Sequence, residues 1–248
     1  ISYPDVSDPP YSEFDGDLMT SYALYCVGCG EYDVEELRLN DTPIWLSASG
    51  IQSGFEGISV QIVPPGQDVT LFPLNVVTAT GFQPAELANT DPAPVIINAP
   101  NTQVKQVILD LVFPSGLYSI YSSKSKVGER SVTMVAEVRP VDSAGVATAG
   151  WSELWRETYT ATQQSQIRLT RRIDVAPGRY QLRVKRTTAT ITDTATGADQ
   201  VYLQSVRAHI HGSQSRAGVT QIAVKFAASK ALAHLNSEAA AAAEAERA

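Results

Sequence analysis

Gly178-Arg-Tyr-Gln-Leu-Arg-Val-Lys-Arg186 places Tyr180, Leu182 and Val184 on one side of an extended backbone and Gln181, Arg183 and Lys185 on the other. Alternation with period two predicts a strand with one face on a core and the other in water. Ala176-Pro-Gly178 closes the segment before it, and a Thr-rich loop over 187–200 follows it.

The same pattern recurs outward from this stretch. Val107, Leu109, Leu111 and Phe113 share one face of a segment over 104–113 that ends at Pro114. Val132, Met134, Ala136 and Val138 alternate with Thr133, Val135, Glu137 and Arg139. Segments over 151–160, 167–173 and 201–210 follow, with turn signals roughly every 10 to 20 residues, and about six or seven strands result. Such a series predicts an antiparallel β-sandwich over 98–211, with Trp151 and Trp155 packed into it. The Pro-Gly-x-Tyr-x-Leu-x-Val segment at 177–184 resembles fibronectin-type modules in architecture. The polar stretch 115–129 reads as the tip of a long loop.

The flanks read differently. Residues 1–20 contain Pro9-Pro10 and Asp15-Gly16 and suggest an extended arm or connector that docks on neighbours. An apolar, Tyr-rich strand is expected over 19–27, and a hairpin at Leu37-Arg-Leu-Asn-Asp-Thr-Pro-Ile44 from its turn chemistry. Gly57-Ile-Ser-Val-Gln-Ile-Val63 forms a strand that stops at Pro64-Pro65. A last strand, Val219-Thr-Gln-Ile-Ala-Val-Lys-Phe226, carries Ile222, Val224 and Phe226 on one face. The Ala/Glu-rich tail 237–248 is a short C-terminal helix on propensity. The fold class is mainly β, with a possible C-terminal helix.

The 248 residues carry net charge -7. Residues 1–100 hold 14 acidic residues against one basic residue, Arg38, whereas residues 101–248 hold 18 basic and 12 acidic ones. The split implies two modules with different surfaces, or an acidic half that meets a basic surface on a neighbouring copy. The candidate cations are Arg168, Arg171, Arg172, Arg183, Lys185 and Arg186, with Arg168, Arg183 and Lys185 on outward strand faces and Arg171 and Arg172 at a strand end. Glu35 and Glu36 are the candidate acidic counterparts. No apolar run reaches the ~18 residues that cross a bilayer, and no signal peptide or initiating Met opens the chain, which reads as an internal piece of something longer.

The Tyr25-Cys-Val-Gly-Cys-Gly-Glu31 segment, the Leu39-Asn-Asp-Thr-Pro43 run, the Pro177…Tyr180-x-Leu-Arg-x-x-Arg186 run and Gly218-Val-Thr-Gln-Ile-Ala-Val-Lys-Phe226 with Leu235-Asn236 stand in one order. In that order, over about 21–236, the chain resembles the lambda-type phage host specificity protein J family, the hub and tip proteins of long-tailed phages. The resemblance implies an irregular β-rich hub domain at 1–97 and 212–248, with the sandwich 98–211 inserted. It implies a homotrimeric ring at the distal tail tip of a virion, contacting distal tail, tail tube and tape-measure proteins. Full hub proteins are far longer, with further hub domains, fibronectin-type repeats and a C-terminal receptor-binding end, so receptor recognition is not assigned to these residues.

Other chemistries find little support. Cys26 and Cys29 form a lone C-x-x-C without the second pair of a zinc ribbon, and read as structural thiols. Of the histidines, His209 and His211 are close in sequence and His234 is remote; they complete no site. Glu31, Asp33, Glu35 and Glu36 could supply a carboxylate pair for glycoside hydrolysis, and Asp15-Gly-Asp17 a loose calcium site, but neither constellation is complete. No catalytic triad or phosphate loop is present by motif, so no enzyme, cofactor or small-molecule substrate is expected. The basic patch has poor aromatic interleaving and implies no specific nucleic-acid binding. The alternative function is a carbohydrate-binding sandwich using Trp45, Trp151 or Trp155 as sugar platforms.

Overall fold

A computed structural model describes residues 5–121, 126–192 and 196–228. The expected helical tail 237–248, His234, Leu235 and Asn236 lie outside these residues. Two compact units emerge, one from Ile1–Leu74 with Gly212–Ala248 and one from Asn75–His211.

The first unit begins with a hairpin of two twelve-residue strands, β1 (Asp5–Gly16) and β2 (Leu18–Cys29), in register from Asp5 opposite Cys26 to Asp15 opposite Leu18. The expected extended arm is therefore, over its described residues, a paired strand. Two features hidden in its composition explain this. Gly16 adopts φ +67°, as the first residue of a tight two-residue β-turn requires. Pro9 and Pro10 sit where the register shifts between Asp8 and Tyr11, so their missing N–H groups fall at an irregularity in the ladder. Tyr11 stacks on Tyr22 across the hairpin with ring centroids 4.8 Å apart and donates to the Pro73 carbonyl. Next come β3 (Glu36–Leu39), β4 (Thr42–Leu46) and β5 (Gly50–Ile51), a small meander. Its first turn is the expected one, with Asn40 at φ +54° between Leu39 and Thr42. β6 (Ile58–Val63) ends at Pro64 as read from the sequence.

The second unit is the sandwich. Its strands are β7 (Val76–Thr78), β8 (Ala85–Glu86), β9 (Val95–Ile96), β10 (Val104–Phe113), β11 (Tyr118–Tyr121), β12 (Lys126–Gly128), β13 (Arg130–Pro140), β14 (Ser152–Ala161), β15 (Ile167–Gly178), β16 (Tyr180–Arg186), β17 (Gly197–Ala198) and β18 (Tyr202–Ile210). One sheet runs β15-β10-β18, with β7 and β8 both on the free edge of β18. The other runs β14-β13-β16-β9. A small third sheet, β12-β11-β17, occupies much of what reads as loop at 115–129. The predicted inward positions form the core: Val107, Leu109, Leu111 and Phe113 of β10 meet Val132, Met134, Ala136 and Val138 of β13 and Leu182 and Val184 of β16. Each of the larger of these side chains, once buried, contributes about 1.5–3 kcal/mol. The unit starts at Asn75, earlier than the expected boundary at 98, because β7, β8 and β9 each pair with a sandwich strand.

The chain returns to the first unit as β19 (Val219–Ala228), which pairs with β2 on one side and β6 on the other. The sheet β6-β19-β2-β1 backs a core of Leu24, Val63, Val69, Phe72, Leu74 and Ala223.

Candidate functional site

The polar face of β16 carries the densest set of interacting side chains. Alternation points Arg183 and Lys185 outward beside Glu137 of β13, the residue opposite Arg183 in register. Arg183 Nε donates to Glu137 at 2.8 Å and its Nη1 to Asp91 at 2.6 Å; Lys185 Nζ reaches Asp91 at 2.5 Å and Glu137 at 3.4 Å. Two cations and two carboxylates thus neutralise one another. The hydrogen bond from Lys185 holds the Asp91 carboxyl below its ordinary pKa, and the Lys185 ammonium is raised in return. Trp151 lies against the same cluster, with the guanidinium carbons of Arg139 and Arg183 each 4.5 Å from its ring centroid.

Arg186 is not part of that surface. It is fully buried, in phase with Leu182 and Val184, and its expected place in an outward basic patch is corrected accordingly. The period-two pattern, extended by one residue, carries the signal that it points inward. Its guanidinium donates to the Thr188 carbonyl at 2.9 Å, the Asp199 carbonyl at 2.8 Å and the Asp199 carboxylate at 3.0 Å. Asp199, also fully buried, accepts from Arg130 at 2.7 Å and from the Ile191 amide at 3.0 Å. Burial raises its carboxyl pKa, but the Arg130, Ile191 and Arg186 hydrogen bonds outweigh that and hold it below the ordinary value.

The remaining cations are separately engaged. Arg171 and Arg172 lie within β15 rather than at a strand end. Arg171 forms a fork on Glu157 at 2.6 and 2.8 Å, Arg172 reaches Gln106 at 3.5 Å, and Arg168 bonds Gln166 at 3.1 Å. A further pair absent from the sequence reading joins Arg207 to Asp110 at 2.7 and 2.8 Å, with Ser205 and Thr170 on the same carboxylate. His209 is buried, and among the described residues its Nδ1 has no hydrogen-bond partner. Burial, and then Lys105, Arg172 and His211, lower its pKa to about 4.

The acidic candidates lie in the first unit. Glu35 is exposed, and its carbonyl accepts the Ser47 amide; Glu36 pairs with Arg38 at 2.9 Å. Asp15 and Asp17 belong to the β1–β2 turn, and Cys26 and Cys29 are free thiols. Among the described residues no three His, Cys, Asp or Glu side chains gather as a metal site. Trp155 packs, partly buried, against the sandwich core, and Trp45 is half-buried on β4.

These features define a fibronectin-III-like β-sandwich inserted in a second β-rich unit, with many of its charged side chains held in internal pairs. Residues 84–212, more than half of the chain, match the model of the FNIII-A domain of tip attachment protein J. The chain belongs to this family of J-type phage tail tip proteins. No curated protein matches it.

Proposed function

We propose that the chain is a structural part of the tail tip hub, joining the tail tube to the host-attachment apparatus at the distal end of the virion. It assembles as a homotrimeric ring and touches distal tail, tail tube and tape-measure proteins. The observation that carries this reading is the family match over 84–212, which coincides with a unit whose chain enters and leaves through a second β-rich unit. Charge partition supports an assembly role. The first unit holds 15 acidic and five basic residues, and the sandwich unit 11 acidic and 14 basic ones.

In this reading the acids of the first unit, Glu35 and Glu36 among them, face cationic surfaces on neighbouring proteins and fix partner and register. Arg171, Arg172, Arg183 and Lys185 serve such contacts only as members of the clusters described above. The test is electron microscopy of intact particles labelled with an antibody against this chain. Label confined to the distal tip is expected; label on capsid or fibres, or none on particles, refutes the proposal.

A further inference from the structure

Within the sandwich unit, one irregular segment seals one edge of each of the two main sheets. β18 has nine residues and β16 seven, yet their outer edges are covered by strands of three, two and two residues, β7, β8 and β9. All three come from 76–96. Between β7 and β9 the backbone is tied down sparsely: Ala79 N to the Val206 carbonyl, the β8 pairing with Tyr202 and Leu203, Leu87 N to the Val201 carbonyl, and Arg186 N to the Ala88 carbonyl. Beneath this segment lies a cavity of about 360 Å³, with Phe82, Leu87, Val95, Leu182, Val184 and Leu203 supplying its apolar walls.

Beyond Ala88 the segment runs Asn-Thr-Asp-Pro-Ala-Pro94, in which two prolines have no amide to donate. Its anchor there is the Asp91 carboxylate, half exposed, gripping Arg183 and Lys185. Both cations already have Glu137 as a second partner, so they stay paired if Asp91 leaves.

We propose that residues 79–95 form a strap over an apolar groove between the sheet edges, pinned by Asp91, that opens as a unit while the sandwich stays folded. Two features lower its opening cost: the pin is a solvent-exposed ion pair and the backbone bonds are few. The cost that remains is set by Ala79 and Leu87, buried in the sandwich core, and by Phe82 and Val95, packed against it. An open strap bares the groove and the edges of β16 and β18 together.

The test is hydrogen–deuterium exchange of the whole chain and of its Asp91→Asn and Asp91→Glu variants, read at the Ala79, Leu87 and Arg186 amides. Asp91→Asn is expected to speed exchange at all three about five- to tenfold, leaving β10 and β13 unchanged, with Asp91→Glu close to the parent. Exchange at the three amides within twofold of the parent overturns the proposal, as does an equal rise across the unit at low salt. Should the Asn variant fail to fold, the parent chain taken from 0.05 to 1 M NaCl decides: selective acceleration at the three amides supports the strap, and a flat response overturns it.

Discussion

At the residue scale, Arg186 and Asp199 show how a buried charge is made tolerable. Neither side chain touches water, and each is held by several hydrogen bonds besides the other. Removing one partner leaves the other buried and uncompensated, so Asp199→Asn is expected to destabilise the sandwich by about 3–5 kcal/mol in a denaturant titration. Arg130→Ala, whose side chain is a third exposed, should cost about 1 kcal/mol. His209 gives a second residue-scale expectation. Its folded pKa of about 4 lies below the unfolded value of 6.5, so the unfolded chain binds a proton first as the pH falls. Its contribution is full above about pH 6.5 and declines toward pH 4. Going from pH 7.5 to 5 should therefore cost about 2 kcal/mol, and His209→Gln should remove most of that slope. Asp199 enters only below its unfolded value of 3.8, in a separate window.

At the scale of elements, the strands that alternate cleanly are legible in the sequence. β10, β13 and β16 fall where the period of two puts them, because one face of each is buried in a single core and the sequence has to record that face. β1 was not legible: Pro9-Pro10 and the surrounding acids have the composition of a linker, and what makes them a strand is β2, through a ladder of pairs. The partners of the cations were equally hidden. Asp91 is 92 residues from Arg183, and Glu137 is 46. No local pattern announces such pairs; only topology brings them together. One experiment separates strand from arm. Deleting residues 1–16 would leave an arm-bearing protein stable. Here it strips β1 from β2 and removes the Tyr11–Tyr22 stack, so the first unit should lose its cooperative unfolding transition in calorimetry while the sandwich keeps its own.

For the whole molecule the decisive quantity is the uneven charge. In the sandwich unit Arg130, Arg156, Arg171, Arg183, Lys185, Arg186 and Arg207 sit in internal ion pairs, whereas the first unit carries many more acids than it has cations to pair with them. Assembly driven by that surplus has to be sensitive to salt. Sedimentation velocity should show the assembled fraction falling as NaCl rises from 0.05 to 0.5 M, and an unchanged distribution would rule electrostatics out as the organiser.

The two ends of the sandwich unit bear on how such proteins diversify. Val76 of β7 faces His209 of β18, and the Ile210 amide donates to the Asn75 carbonyl at 3.0 Å, so the incoming and outgoing chains are hydrogen-bonded neighbours. A segment whose ends meet in this way behaves as a cassette. Recombination between related genes at these two points would exchange the sandwich whole.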